Sequence, residues 1–200
     1  MGFFSFLKRW KANKTPMVES DPNEFVPALW EDDYCQVEIV SYENQAFIKK
    51  QSTGISDLAE KSKSPLGFNE SFERGAMPFP TLTKEIRIDY LEYTLSGFGL
   101  PKAKHIRYGA KQIFDCASGN TKAFGYYNFI IFFDSEEEFV KNIWITTGLI
   151  VDIIQFDLIV SVLYDLGESL EFILIDWDSL ELIDLRDRRQ IEKYLRGYSK

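Results

Sequence analysis

A strand that is apolar at every position constrains this fold more than any other feature of the sequence. Phe172 to Ile175 reads FILI without alternation, which is typical of a strand covered on both faces of a sheet. The next apolar stretch, LELID, partly alternates and indicates a strand with one wetter face. The two stretches predict a hairpin in a covered sheet, with Asp176-Trp177-Asp178-Ser179 as its corner.

The two aspartates of this corner have a structural and a catalytic interpretation. Asp and Ser side chains in turns accept hydrogen bonds from the amides of the turn itself, so we favour a structural corner. The alternative is a carboxylate pair, Asp176 and Asp178, in a hydrolase or transferase without a local signature. Trp177 is unusual because turns seldom cover so large a side chain. Either the loop at residues 64–80 packs over it, or it is exposed for a partner.

The hydrophobic periodicity of the chain predicts one α+β domain over residues 34–200, a mostly antiparallel sheet with packed helices. Strands are predicted at residues 34–42, 81–88, 105–108, 112–116, 123–133, 139–146, 172–175 and 180–184. Helices are predicted at residues 43–63, 89–96 and 148–166, with Gly167 ending the third. Asp187 and Gln190 form a capping-box-like start for a last helix.

The first 33 residues differ in character from this domain. Residues 1–14 contain Phe3, Phe4, Phe6, Leu7 and Trp10 beside basic side chains, and they predict a short amphipathic helix. Residues 15–33 are interpreted as a linker. Three roles stay open for the helix: packing on its own domain, contact with an anionic membrane surface, or binding in the groove of a partner.

The charge of the chain is strongly asymmetric. The net charge is −8, but all four charges of residues 1–14 are basic, which leaves 19 basic and 31 acidic side chains in the rest. A net charge of −12 on the body argues against nucleic acid as a ligand, because phosphate binding needs clustered cations. Such a body attracts a basic protein partner instead.

Acidic side chains are concentrated at one predicted hairpin tip, DSEEE, which follows the strand at residues 123–133. The tip is either a solvated turn or a charged projection for a basic partner. The candidate contact residues on this chain are therefore the tip and the tryptophan corner: Asp134, Glu136, Glu137, Glu138, Trp177 and Asp178.

The cysteines and the single histidine do not form a recognisable reactive set. Cys35 and Cys116 lie in strand-like text and are interpreted as buried structural thiols of a cytoplasmic protein. Asp115 next to Cys116 disfavours a thiolate there. His105 stands among cations, and no nearby acid in the sequence orients it. We therefore expect no catalytic constellation, no metal site and no cofactor.

Four stretches of the sequence, CQVEIV, ENQAFIKKQ, NIWITTG and ILIDWDSLELIDLRDRRQIEKYL, resemble small cytosolic immunity-type proteins of bacterial contact-dependent and polymorphic toxin systems. The resemblance implies a non-catalytic intracellular protein that binds and neutralises a toxin domain. The acidic, aromatic-rich composition independently suits a protein that covers a basic cleft. Two alternatives are an enzyme that uses scattered carboxylates and a peripheral membrane or scaffold protein anchored by residues 1–14.

Overall fold

The computed structural model describes residues 24–64, 67–68, 72–110 and 112–199. The strands in these ranges are β1 (Ala28–Leu29), β2 (Val37–Ser41), β3 (Lys63–Ser64), β4 (Gly67–Phe68), β5 (His105–Tyr108), β6 (Gln112–Asp115), β7 (Thr121–Tyr126), β8 (Phe129–Glu136), β9 (Phe139–Thr147), β10 (Phe172–Asp176) and β11 (Glu181–Asp184). The α-helices are α1 (Gln45–Ser62), α2 (Ile88–Gly97), α3 (Ile153–Leu170) and α4 (Arg188–Leu195). The predicted α+β class is confirmed.

Six of the strands form a central antiparallel sheet in the order β11-β10-β2-β9-β8-β7. A smaller sheet has the order β1-β5-β6, in which β1 and β5 run parallel, and β3 pairs with β4. The hairpin predicted from the FILI strand is confirmed, since Asp176 at the end of β10 lies opposite Glu181 at the start of β11. The chain inserts β2 between β10 and β9, so the middle of the sheet joins segments that are far apart in sequence.

Every residue of β10 is buried, which agrees with its uninterrupted apolar sequence. Phe172 and Leu174 face a layer built from α2, α3 and α4. Ile173 and Ile175 face the other side, where they pack with Ile48 of α1. Because neighbouring side chains of a strand point to opposite faces, a strand that is apolar throughout needs cover on both sides.

A third hydrophobic cluster lies where the small sheet covers β8 and β9. Trp144 is fully buried there, stacked on Phe132 with ring centroids 5.5 Å apart and edge-on to Tyr34 at 4.8 Å. Leu29 of β1 is fully buried in the same cluster. Leu29, which falls within the predicted linker, therefore contributes to the core. The predicted helix at residues 1–14 lies outside the described residues.

Three predicted elements differ from the structure. The strand predicted at residues 123–133 is wrong, because Tyr127 and Asn128 turn the chain and separate β7 from β8. The strand predicted at residues 81–88 is also wrong, since Thr81–Lys84 form a 3-10 turn. The third helix is displaced: α3 starts at Ile153 and continues to Leu170, so Gly167 does not end it.

Gly167 lies within α3 at the point where the helix packs against the main chain of Leu185, and only a residue without a side chain fits there. A Cβ atom at residue 167 would lie 2.3 Å from Leu185 C and 2.4 Å from Leu185 O, closer than real contacts allow. The glycine signal that suggests a helix end thus reflects a close packing contact instead.

We expect Gly167→Ala to lower the free energy of unfolding by about 1–3 kcal/mol, as overpacked cores do, although alanine is the better helix former. Gly97→Ala is the matched control, because a Cβ at the end of α2 meets nothing within 4 Å. The control should be neutral or more stable by up to about 1 kcal/mol. Urea unfolding followed by circular dichroism measures both, and equal stability of the two variants would contradict the close approach.

Candidate binding surface

The tryptophan corner is a structural turn. Asp176 Oδ1 accepts hydrogen bonds from the amides of Asp178 and Ser179 at 2.9 and 3.1 Å. Its other carboxylate oxygen, Oδ2, accepts the hydroxyl of Tyr194 at 3.0 Å. Asp176 is buried, while Asp178 is exposed. The two carboxylates do not converge on a cleft, and Asp176 is used to fold the turn, as the structural interpretation of the corner predicts.

Trp177 is covered, with only 7% of its surface exposed. The guanidinium of Arg74 lies 4.7 Å from the ring centroid, and Arg74 Nη1 also donates to the carbonyl of Cys35 at 3.3 Å. Arg74 belongs to the predicted loop at residues 64–80, so the structure favours loop cover over exposure. Trp177 Nε1 donates to Glu38 Oε2 at 3.2 Å, which satisfies the polar end of the ring.

Glu38 is a partly buried acid that accepts the Trp177 hydrogen bond. Burial raises the pKa of Glu38, and the nearby charge of Arg74 and the hydrogen bond from Trp177 partly offset the rise. Burial also raises the pKa of Cys35 well above its ordinary range, with the charges of Glu38 and Asp134 adding to it. The Arg74 charge is therefore a stabilising counterion for a carboxylate that is costly to bury.

The DSEEE tip is less charged toward solvent than its sequence suggests. Asp134 is buried and accepts hydroxyl hydrogen bonds from Thr121 at 2.7 Å and Tyr34 at 2.9 Å. Glu138 pairs with Arg87 at 2.9 Å, and Glu136 pairs with Lys141. Glu137 occupies the turn with a left-handed backbone, φ 56°, and is exposed. Asp134 consequently has a structural role, and two of the three glutamates have cationic neighbours.

A second group of acids surrounds the tryptophan corner, and we call Glu31, Asp32, Asp33 and Asp178 the acidic corner. Residues 31–33 form a 3-10 turn, and Gln36 just after it accepts the amide of Trp177 at 2.9 Å. The pKa of Asp33 is raised, first by burial and further by the charges of Asp32 and Asp178. Among the described residues none of these four acids forms an ion pair within 4.0 Å, and Arg74 on Trp177 is the cation at this corner. Four acids near one cation produce a negative potential there.

Four aliphatic side chains just before and at the start of α3 are exposed, and we call them the apolar end. The exposed fractions are 49% for Leu149, 69% for Val151, 70% for Ile153 and 77% for Ile154. Ile150 between them is buried and bridges to Ser199, so the segment before the helix is extended and alternates inward and outward.

The sequence prediction missed the apolar end because it placed these residues inside a helix from residue 148. The helix begins later because Asp152 is its N-cap, and Asp152 Oδ1 accepts the amides of Ile154 and Gln155 at 2.7 and 3.2 Å. An aspartate before an apolar run is a helix-start signal, so this boundary was readable from the sequence.

The strand registers place these features at two ends of the central sheet. Asp176 is opposite Val37, and Glu38 is opposite Trp144. The carboxyl-terminal ends of β10 and β9 therefore lie at the same end of the sheet. The acidic corner and the apolar end therefore both lie at one end of the sheet, beyond strands β10 and β9, which are about 10 Å apart because β2 lies between them. The tip at Glu137 lies at the opposite end, so it does not form one surface with Trp177.

Cys116 is a buried thiol with a raised pKa, and His105 has an acidic partner. Cys116 is buried, and burial raises its pKa to about 12, with Lys122 opposing and Asp115 adding to the rise. A thiol with a raised pKa is a poor nucleophile at neutral pH. His105 Nδ1 lies 2.8 Å from Glu24 Oε1, an acid 81 residues earlier that the local sequence did not reveal.

The comparisons with known proteins give no relative: no family model, no curated protein and no solved structure matches the chain. Among the described residues, no three or more His, Cys, Asp or Glu side chains are placed to hold a metal ion. In that same part of the chain, no helix combines the length and apolarity needed to cross a bilayer.

The charge of Arg74 near Glu38 predicts a pH-dependent stability. Folding raises the pKa of Glu38 above its ordinary value of 4.5. The folded state therefore loses stability relative to the unfolded state as the pH rises above 4.5. The Arg74 charge opposes the rise in the pKa of Glu38, so the loss of stability at high pH should be larger when that charge is removed. We expect Arg74→Leu to destabilise the fold more at pH 8 than at pH 4, beyond a pH-independent loss of about 0.5–2 kcal/mol from the stack on Trp177.

Urea unfolding at both pH values measures this difference. In a Glu38→Gln background the destabilisation caused by Arg74→Leu should be the same at pH 4 and pH 8. If the pH dependence persists in that background, Glu38 is not the carboxyl that Arg74 stabilises.

Proposed function

We propose that this chain is a non-catalytic protein-binding protein whose contact surface is the apolar end together with the acidic corner. The observation that carries the proposal is the exposure of four neighbouring aliphatic side chains, Leu149, Val151, Ile153 and Ile154, by 49–77%. Adjacent exposed aliphatic side chains are characteristic of interaction sites, whereas single exposed ones are ordinary.

The charge around this surface supports a basic partner. The first turns of α3 carry two exposed carboxylates, Asp152 and Asp157, and the acidic corner lies at the same end of the sheet. One cation is also present there, since the Arg196 guanidinium lies 5.7 Å from the ring centroid of Phe156. An apolar centre with a charged rim is the usual arrangement of a protein interface. Carboxylates on the rim speed the encounter with a positively charged partner.

A cognate bacterial toxin with a basic cleft is the partner that we favour, and the chain would then be a cytoplasmic immunity protein. The acidic body and the resemblance of its sequence to immunity-type proteins support this proposal. The positions that we now assign to the contact are the apolar end and Asp178. The DSEEE tip is left out because it lies at the other end of the sheet and its Glu136 and Glu138 pair with cations.

The direct experiment mixes the purified full chain with the purified product of each adjacent gene and measures complex formation by sizing chromatography and calorimetry. We expect one stable complex. Ile153→Ser with Ile154→Ser should weaken it at least about tenfold, since buried anchors at an interface contribute more than about 1 kcal/mol each. Tyr93→Ser is the matched control, because Tyr93 is 80% exposed but lies on α2.

An unchanged affinity of the double variant would exclude the apolar end as the contact surface. Failure of every adjacent product to bind would count against the immunity function itself.

Association kinetics test the acidic corner separately. We expect Asp32→Lys with Asp178→Lys to slow association about tenfold at low salt and to flatten its salt dependence, while dissociation changes little. Glu168→Lys makes a charge reversal at the far end of α3 and should have a much smaller effect. Stopped-flow mixing with the binding gene product measures both variants, and equal association rates would remove the corner from the proposed surface.

A further inference from the structure

The described chain begins beside the apolar end. The carbonyl of Glu24 accepts the hydroxyl of Tyr127 at 3.0 Å, and Tyr127 lies in the turn between β7 and β8. The next residue, Asn128, donates to the carbonyl of Leu149 at 3.0 Å and accepts the amide of Gly148 at 2.8 Å. The turn at Tyr127 and Asn128 therefore contacts Glu24 on one side and the main chain of Leu149 on the other.

The segment that precedes Glu24 has the composition to cover them. Residues 3–10 contain Phe3, Phe4, Phe6, Leu7 and Trp10, and residues 1–14 have four basic and no acidic side chains. At the apolar end, residues 149–160 have two exposed carboxylates, Asp152 and Asp157, and no base, and Arg196 lies 5.7 Å from the Phe156 ring. Apolar and charged groups of the two segments are therefore complementary.

The connection between them is long enough. Residues 15–23 span up to about 30 Å when extended, which reaches past a single turn of the sheet. A tether of this length holds the segment at an effective concentration on the order of millimolar, so even a weak contact is well populated.

We propose that residues 3–10 dock on the apolar end of their own chain and cover Leu149, Val151, Ile153 and Ile154. Part of this inference rests on the proposed function, because a partner that uses the same surface must displace the segment. The docked segment then lowers the apparent affinity of the partner by the fraction of time that it occupies the surface. It also keeps the aliphatic side chains from water while no partner is bound.

Paramagnetic broadening in the full chain tests the docking directly. Ser5→Cys carries a nitroxide, and the native Cys35 and Cys116 are buried, so wild-type protein treated with the same reagent controls for labelling elsewhere. We expect the methyl signals of Val151, Ile153 and Ile154 to broaden strongly. The methyl signal of Ile88 should stay sharp, because Ile88 donates its amide to Glu138 at the opposite end of the sheet.

Two further samples complete the test. A mixture of isotope-labelled chain without nitroxide and unlabelled chain with nitroxide should show no broadening, and broadening there would make a second copy the occupant and overturn the proposal. Phe6→Ser with Trp10→Ser in the nitroxide-labelled chain should restore the sharp methyl signals. Uniform broadening, or broadening centred on Ile88, would also overturn the proposal.

The partner experiment keeps this inference separate from the proposed function. With the adjacent gene product that binds, Phe6→Ser with Trp10→Ser should tighten the complex several-fold, since an occupant is removed. Broadening at Ile153 without any complex leaves the docking in place and counts against the partner function. If the complex forms with an affinity that this variant does not change, and the methyl signals do not broaden, the partner function is retained and the docking is rejected.

Discussion

The rest of the fold depends on β10, a strand whose two faces are both apolar. Leaving either face in water would forfeit about 1.5–3 kcal/mol for each large side chain. The helices α2–α4 cover Phe172 and Leu174, and α1 covers Ile173 and Ile175. The sheet therefore has a helical layer on one face, and α1 and the small sheet divide the other. Their division leaves a boundary on that face, where Glu38 contacts both Cys35 of the small-sheet cluster and Trp177 of the α1 cluster.

Two carboxylates lie on the face that contains this boundary. Glu38 is partly buried between the two clusters, and it is stabilised there by Trp177 Nε1 and by the charge of Arg74. Asp134 is buried on the same face and is held by the hydroxyls of Thr121 and Tyr34. Each carboxylate has hydrogen-bond donors, so neither is a free acid in a cleft. Asp134, which the sequence offers as a contact residue, is therefore part of the core instead.

The sequence predicted the features that depend on neighbouring residues. The β10–β11 hairpin, α1 and the Asp187 cap of α4 follow from local periodicity and turn chemistry. It did not predict contacts that only the tertiary fold creates, such as Glu24 with His105 or Tyr34 with Asp134, which are 81 and 100 residues apart. The turn at Tyr127 and Asn128 was missed because it has neither Gly nor Pro. Gly167 was misinterpreted as a helix end because glycine is favoured both at helix ends and where a helix packs closely on another segment.

The apolar end is the feature that folding explains least. The Asp152 cap fixes where α3 begins, and the alternation before it turns Ile150 inward and Leu149 and Val151 outward. Ile153 and Ile154 then occupy the first turn on its exposed side, where polar side chains would cap the helix equally well. Side chains exposed by 69–77% add little burial to the folded state, so their aliphatic character is not required by the fold. A surface whose composition the fold does not require is best explained by something that covers it.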